Sequence, residues 1–89
     1  MERRRIRFSG HVQGVGFRMT AARVAARYPV TGWVRNEPDR TVLMEIQGNP
    51  EEIGRCLAEL RNIMRENVSD ESTQTLPIDA GERGFTIRR

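Results

Sequence analysis

Residues 10–18 read GHVQGVGFR and place three glycines, Gly10, Gly14 and Gly16, within seven positions. The segment lies between an alternating run typical of a β-strand and an alanine-rich run typical of a helix. Glycine permits a positive φ, and the amides of such a turn and of the helix start favour a bound anion. Arg18 lies at the unfavourable end of the helix dipole, a mismatch that an anion would reverse. The stretch therefore predicts a strand, a turn and a helix with a phosphate site, or simply a connecting turn.

The residues on either side of this turn extend the pattern. Ile6 and Phe8 share one face of an alternating run over residues 3–9, which indicates a half-buried strand. After the turn, apolar residues recur at helical spacing, namely Phe17, Ala21, Val24, Ala25 and Tyr28. Pro29 is expected to end this helix.

The middle of the chain predicts a hairpin and a second helix. Residues 30–36 and 41–47 are the two strands, and residues 37–40 form the turn between them. Asn49 and Pro50 are typical of a helix start. The buried stripe of this helix is Ile53, Leu57, Leu60 and Met64.

The remaining residues complete a recognisable architecture. Residues 68–77 predict a weak edge strand anchored by Val68, Leu76 and Ile78, residues 79–84 a loop, and residues 85–88 a short last strand. The order β, α, β, β, α, β plus a short C-terminal strand predicts an α+β, ferredoxin-like sandwich. Both helices should pack on one face of a mostly antiparallel sheet, within a single domain over residues 1–89.

Composition limits the classes of protein that this chain can represent. Its 89 residues, 37% hydrophobic and 30% charged, fit one small globular domain. The net charge of +3 is compatible with an anionic partner, although solubility is the simpler reason. Cys56 is the only cysteine, so we expect a buried thiol rather than a disulfide. No apolar run is long enough to span a bilayer, and a cytoplasmic monomer that does not bind membranes is expected.

Few residues offer catalytic chemistry. No Ser, His and acid set and no Cys or His cluster suggests a triad or a metal site. His11, the only histidine, is more readily explained as a residue at the end of a strand. Arg18 and Asn36 remain as candidates. Asn36 could merely start a turn, or its amide could hold a water molecule.

GHVQGVGFR, followed by GWVRN at residues 32–36 and a final GFTIRR, resembles the acylphosphatase family over essentially the whole chain. The resemblance implies an enzyme that hydrolyses acyl phosphates to a carboxylate and inorganic phosphate, without metal or cofactor.

The resemblance also implies residue roles. Arg18 corresponds to the family's phosphate-binding arginine, and Asn36 to the asparagine that positions the attacking water. The backbone amides that correspond to the family's phosphate cradle are those of Gln13, Gly14, Val15, Gly16, Phe17 and Arg18. The substrate's own phosphate would accept the proton of the water, so no protein base is required. Side chains of the turn are then expected to shape and pack it.

One position and one segment depart from the family pattern. Arg40 stands where the family has a glycine, so the hairpin turn should either change geometry or tolerate an arginine. Residues 69–74 are poorer in apolar side chains than the family's fourth strand, which we expect to affect stability more than chemistry.

A different class of function is a non-catalytic ferredoxin-like module that binds an anion or a nucleic acid. RNA-binding sheets of this type stack bases on exposed aromatics. The side chains expected to be exposed opposite the core include no aromatic: Arg3, Arg5, Arg7, Leu43, Glu45 and Gln47. Nucleic acid is therefore an unfavoured partner. A regulatory domain of a larger acyl-transfer or maturation protein is a third possibility, and it would keep the same phosphate site.

Overall fold

The protein consists of a five-stranded sheet and two helices. A computed structural model describes residues 1–89. The elements in chain order are β1 (Glu2–Gly10), α1 (Phe17–Ala25), β2 (Val30–Asn36), β3 (Val42–Gly48), α2 (Pro50–Ile63), β4 (Val68–Leu76) and β5 (Phe85–Arg88). This order confirms the predicted α+β, ferredoxin-like sandwich with a short C-terminal strand. Neither helix has the length and apolar character that crossing a membrane requires.

The sheet has the strand order β4-β1-β3-β2-β5. Its neighbouring strands are antiparallel except β2 and β5, which run parallel. The hairpin of β2 and β3 is therefore internal, and β4 and β5 form the edges. The parallel pairing brings the last strand beside β2, which ends at Asn36.

One apolar core lies between the sheet and the two helices. It joins Ile6 and Phe8 of β1 to Phe17 of α1 and to the predicted stripe of α2. The rings of Phe8 and Phe17 lie 4.9 Å apart, centroid to centroid, and are tilted by 52°. This contact connects the end of β1 to the beginning of α1 and so supports the glycine turn from below.

The first helix is shorter than predicted. It ends at Ala25, and the chain continues in tight turns in which the N–H of Tyr28 donates to the Ala25 carbonyl at 3.1 Å. In a continued helix Pro29 could not donate to the Ala25 carbonyl and its ring would clash with that carbonyl, which fits an end at Ala25. Tyr28 is still partly buried against the core.

The polar β4 is an edge strand, as predicted, but its anchors differ. It pairs with β1 through a full antiparallel ladder, so the backbone holds it although most of its side chains are exposed. Val68 packs against the core and Leu76 is half-buried. Ile78 lies beyond the end of the strand and is exposed, so its predicted anchoring role is wrong.

The face of the sheet opposite the helices is more covered than predicted. Arg3, Leu43, Glu45 and Gln47 are buried there, whereas Arg5 and Arg7 are half-buried. The later loop covers this face: the side chain of Gln47 donates to the Asp79 carbonyl at 2.9 Å and accepts from the Asp79 N–H at 2.8 Å. The alternation of side chains along the strands predicted the correct face for these residues. It could not predict that a later loop buries them.

Charge pairing compensates the burial of Arg3. Its guanidinium donates to Glu45 at 2.9 Å and to both carboxylate oxygens of Glu82 at 2.7 and 3.0 Å. The hydrogen bond to Glu82 raises the pKa of Arg3, although burial opposes it. Burial raises the pKa of Glu82, but hydrogen bonds to Arg3 and Thr31 outweigh it and hold that pKa below its usual value. The loop is therefore attached to the sheet by a charged pair.

An aromatic side chain also lies on this face, contrary to the expectation that none does. Trp33 pairs with Glu45 in the sheet register and is only 6% exposed. The guanidinium carbons of Arg35 and Arg88 lie 4.9 and 4.6 Å from the centroid of its ring. Because these cation–π contacts cover the ring, no open aromatic surface is offered to a nucleic acid base.

Arg40 takes the conformation that a glycine would take. Its φ is 73°, and it is the one non-glycine residue with a positive φ. The turn is closed by a bond from the Arg40 N–H to the Glu37 carbonyl at 3.1 Å and by one from the Glu37 N–H to the Thr41 carbonyl at 2.9 Å. The hairpin turn therefore accommodates an arginine in the left-handed conformation that favours glycine.

We expect Arg40→Gly to leave the free energy of unfolding unchanged or to raise it by up to about 1 kcal/mol, because glycine adopts this φ without strain. The side chain is exposed, so its removal should cost little packing. Arg40→Ala is the matched control, since it removes the charge but keeps the Cβ atom, and it should bring no gain. Denaturant titration measures the difference. A loss of more than about 1 kcal/mol in Arg40→Gly would reveal a stabilising contact of this arginine.

Candidate active site

One cavity of about 270 Å³ brings Arg18 and Asn36 together. It lies where the glycine turn, the first turn of α1, the end of β2 and the C-terminal strand meet. The residues that line it are Val12, Gly14, Gly16, Phe17, Arg18, Met19, Asn36, Ile87 and Arg89. Two arginines and no Asp or Glu line the cavity, so its side-chain charge favours an anion.

The glycine turn presents bare backbone to this cavity. Gly14 and Gly16 have φ values of 78° and 76°, a region that other residues rarely adopt. A Cβ atom added at either glycine would meet no atom within 4 Å. The conformation of the turn, rather than crowding, therefore explains these two glycines, and the space beside them is open to a ligand.

The amide groups of the turn are not used within the protein. None of the backbone N–H groups of residues 13–19 donates to a backbone carbonyl, and the first such bond runs from Thr20 to Gly16 at 3.0 Å. Gly16 caps α1 without a side-chain hydrogen bond, and the first turn contains no acidic residue. The N-terminus of α1 therefore keeps free donors and an uncompensated positive dipole.

The second helix provides an internal comparison. At its N-terminus the Asn49 side chain accepts a hydrogen bond from the Glu51 N–H at 2.9 Å, and Glu51 and Glu52 occupy the first turn. Those groups satisfy one donor and offset the dipole of α2. By contrast, α1, whose N-terminus faces the cavity, has neither a capping side chain nor an acidic residue in its first turn.

Arg18 lies in the first turn of α1 and is half-buried. Its Nη1 atom donates to the backbone carbonyl of Arg88 at 3.3 Å. This partner is neutral, whereas Arg3 and Arg5 are paired with carboxylates. The charge of Arg18 is therefore oriented by the C-terminal strand without being neutralised.

Asn36 is the last residue of β2, opposite Val42 of β3. Because it follows Val34 by two positions, its side chain lies on the same face of the sheet as this core residue. It is half-buried and lines the cavity that Arg18 also lines. The ordered ladder on the β3 side fixes the backbone from which the amide projects.

Gln13 fixes the turn against the hairpin. Its Nε2 atom donates to the carbonyls of Glu37 and Thr41 at 2.8 and 2.9 Å. These carbonyls flank the turn directly after Asn36, so the contact sets the distance between the glycine turn and the end of β2. Val15 packs partly buried against the core, and Phe17 is fully inside it. The sequence predicted that Gln13, Val15 and Phe17 shape and pack the turn, but not that Gln13 contacts the hairpin, because that contact depends on the hairpin's position in space.

Four residues that line the cavity were not predicted as site residues from the sequence. They are Val12, Met19, Ile87 and Arg89. Ile87 pairs with Val34 across the parallel strands, which places the C-terminal strand beside the site. For Ile87 and Arg89 the only signal in the sequence was the GFTIRR ending. It indicated the family but not that these residues lie beside the cavity.

The remaining reactive side chains lie elsewhere. Burial raises the pKa of the Cys56 thiol to about 11, so this residue stays protonated at neutral pH. His11 is exposed just after β1 and does not line the cavity. No group of three or more His, Cys, Asp and Glu side chains is arranged to hold a metal ion.

Comparisons with known proteins identify the family of this chain. The acylphosphatase family profile matches residues 4–87. A curated acylphosphatase of Clostridium acetobutylicum is 41% identical over 88 residues, which cover 98% of this chain and 97% of the relative.

The solved structures extend the comparison to the fold. The crystal structure of acylphosphatase from Bacillus subtilis superposes over 100% of both chains, with a TM-score of 0.88 and 28% identity. T. kodakarensis HypF matches 100% of this chain with 12% of its own, at a TM-score of 0.86 and 24% identity, and this likeness concerns the fold alone. On the match to the family profile and the identity to the curated relative, the chain belongs to the acylphosphatase family.

Proposed function

We propose that this chain hydrolyses acyl phosphates with Arg18 and the amides of residues 13–18 on the phosphate and with Asn36 on the attacking water. The observation that supports it best is that one cavity is lined by Arg18, by Asn36 and by three further residues with unpaired amides, Gly14, Gly16 and Phe17, whereas Gln13 and Val15 do not line it. The substrate is then a small acyl phosphate, and the products are a carboxylate and inorganic phosphate.

The phosphoryl group would occupy the glycine turn. Its oxygens accept hydrogen bonds from the free N–H groups at the start of α1, and the guanidinium of Arg18 supplies a forked, charged contact. Negative charge on these oxygens is spread over fixed donors that need no reorganisation during the reaction. The carbonyl of Arg88 and the Gln13 contact would keep these donors in place.

The water would be held by Asn36 on the side opposite the leaving oxygen. The oxygen of the water forms the new bond to phosphorus while the bond between phosphorus and the acyl oxygen breaks. The electron pair of the broken bond stays on the departing carboxylate. One proton of the water passes to a phosphoryl oxygen. No His, Asp or Glu lines the cavity, which supports a mechanism without a protein base.

The test of this function uses the purified chain and benzoyl phosphate, a small aromatic acyl phosphate. We expect release of phosphate and benzoate above the uncatalysed rate, equally with and without EDTA, since no metal or cofactor takes part in the proposed steps. Inorganic phosphate should inhibit competitively. Absence of hydrolysis by the folded protein would refute the proposed function, and loss of activity in EDTA would refute its metal independence.

We also propose that residues 1–89 act as one cytoplasmic, monomeric domain. One continuous core and the small number of exposed large apolar side chains, five in all, support a monomer, and a single buried thiol is compatible with a reducing compartment. Size-exclusion chromatography with light scattering measures the oligomeric state. A concentration-independent dimer mass would contradict the proposed monomer.

Fractionation of the native cells, followed by detection of the chain with an antibody, tests the proposed cytoplasmic location. Recovery with the membrane or extracellular fraction would contradict a cytoplasmic protein.

A further inference from the structure

The cavity has an apolar side that the phosphate chemistry does not use. Five large apolar side chains of the chain are exposed, namely Met1, Met19, Ile63, Ile78 and Ile87. Two of them, Met19 at 63% and Ile87 at 44% exposure, line the cavity that contains Arg18 and Asn36. We call this pair the apolar shelf.

The two side chains of the shelf come from elements that are far apart in the chain. Met19 follows Arg18 in the first turn of α1, and Ile87 lies on β5 beside Val34 of β2. Buried Val12 and Phe17 line the same cavity and add to its apolar surface. Single exposed apolar residues need no explanation, but two that converge on a polar site offer a ligand an apolar surface.

The size and polarity of the cavity fit a ligand with two unlike ends. Its volume of about 270 Å³ is larger than a phosphate needs and lies just below the range of about 300–1,000 Å³ for pockets of drug-sized ligands. The glycine turn, Arg18 and Asn36 form the polar end. The apolar shelf remains for the part of the substrate on the other side of the bond that breaks.

We propose that the apolar shelf of Met19 and Ile87 binds the acyl group, and that the chain prefers acyl phosphates with a bulky apolar acyl group over acetyl phosphate. This inference rests on the proposed function. Contact with the shelf removes apolar surface of both partners from water, so a phenyl ring gains more than a methyl group does. The shelf thus selects the half of the substrate that the phosphate cradle cannot distinguish.

The preference is measured as the ratio of kcat/KM for benzoyl phosphate to kcat/KM for acetyl phosphate. Met19→Gln keeps the length of the side chain and Ile87→Thr keeps its branched Cβ atom in a shorter side chain, and both replace apolar surface by polar groups. We expect the ratio to fall about 10-fold in the double variant, which is the order of discrimination that a few apolar contacts provide. Ile63→Thr is the matched control, since Ile63 is exposed at the end of α2 and away from the cavity, and it should keep the wild-type ratio.

A binding measurement separates the shelf from catalysis. Phenylphosphonate carries the apolar group and the phosphoryl-like end, whereas inorganic phosphate carries only the latter. In the double variant, competitive inhibition by phenylphosphonate should weaken about 10-fold, while inhibition by phosphate stays near the wild-type value. If Ile87→Thr lowers the unfolding midpoint, Met19→Gln alone serves for this test, because its position on α1 is exposed.

The possible results distinguish a failure of the proposed function from a failure of the apolar shelf alone. A folded wild-type protein that hydrolyses neither substrate refutes the proposed function and the shelf with it. Hydrolysis of both substrates with the same ratio in wild type and variants refutes the shelf alone and leaves the phosphate chemistry standing. A lower ratio in Ile63→Thr as well would show a general loss of structure, and it would also overturn the role of the shelf.

Discussion

Arg18→Ala is expected to lower kcat/KM for benzoyl phosphate by about 10³-fold or more, the range seen when a phosphate-binding arginine is removed. Its guanidinium is held at the cavity by the neutral carbonyl of Arg88, so truncation removes an unpaired positive charge from the site. Without it, the free amides of the turn would have to hold the phosphoryl group alone. Inhibition by inorganic phosphate should weaken together with the rate, because the contact exists before and during the reaction.

Two further variants make this result specific. Arg18→Lys should remain poor, because an ammonium group cannot reproduce the forked contact of a guanidinium. Arg23→Ala removes an exposed arginine from the same helix and outside the cavity, so it should keep the wild-type rate. The role of Arg18 would be refuted if Arg18→Ala bound phosphate as tightly as the wild type.

Asn36→Ala is expected to lower kcat by about 10²- to 10³-fold, which is the usual cost of losing one positioning or polarising group. If its amide positions the water, the contact matters mainly in the transition state, and inhibition by phosphate should hardly change. Arg18 and Asn36 would then differ in a measurable way, since loss of the arginine affects both rate and binding.

The alternative role of Asn36 is purely structural, since it directly precedes the hairpin turn. In that case Asn36→Ala would lower the unfolding midpoint, and activity would recover under conditions in which the variant is fully folded. Rate, phosphate inhibition and unfolding midpoint should therefore be measured on one preparation. Asn62→Ala, at an exposed position of α2, controls for the loss of an asparagine side chain. A stable Asn36→Ala protein with a near wild-type rate would exclude water positioning.

The contact of Gln13 with the hairpin relates these two residues. Arg18 belongs to the element that follows the turn, and Asn36 to the strand that precedes the hairpin loop. Hydrogen bonds from Gln13 to the carbonyls of Glu37 and Thr41 connect the two supports directly. The Gln13 side chain therefore helps to set the distance between the proposed phosphate cradle and the proposed water site, although it takes no part in the proposed chemistry.

Local patterns were sufficient for most of the fold. Alternation in β1 and helical spacing in α2 identified which face is buried, because each follows from backbone geometry over a few residues. Asn49 and Pro50 marked the start of α2 correctly. The apolar spacing continues to Tyr28 and so predicts a longer α1 than the structure has. Pro29 restricts the backbone before it, and the helix ends at Ala25.

The sequence by itself determined the elements, their order, the positive-φ turn and the family. Tertiary structure alone decided that a loop near the C-terminus covers Arg3 and Gln47, that arginines cover Trp33, and that Ile87 reaches the cavity of Arg18. The physical reason is the range of the interactions. Backbone propensity and capping act between neighbours in the chain, whereas these contacts join distant residues whose proximity depends on strand order and register.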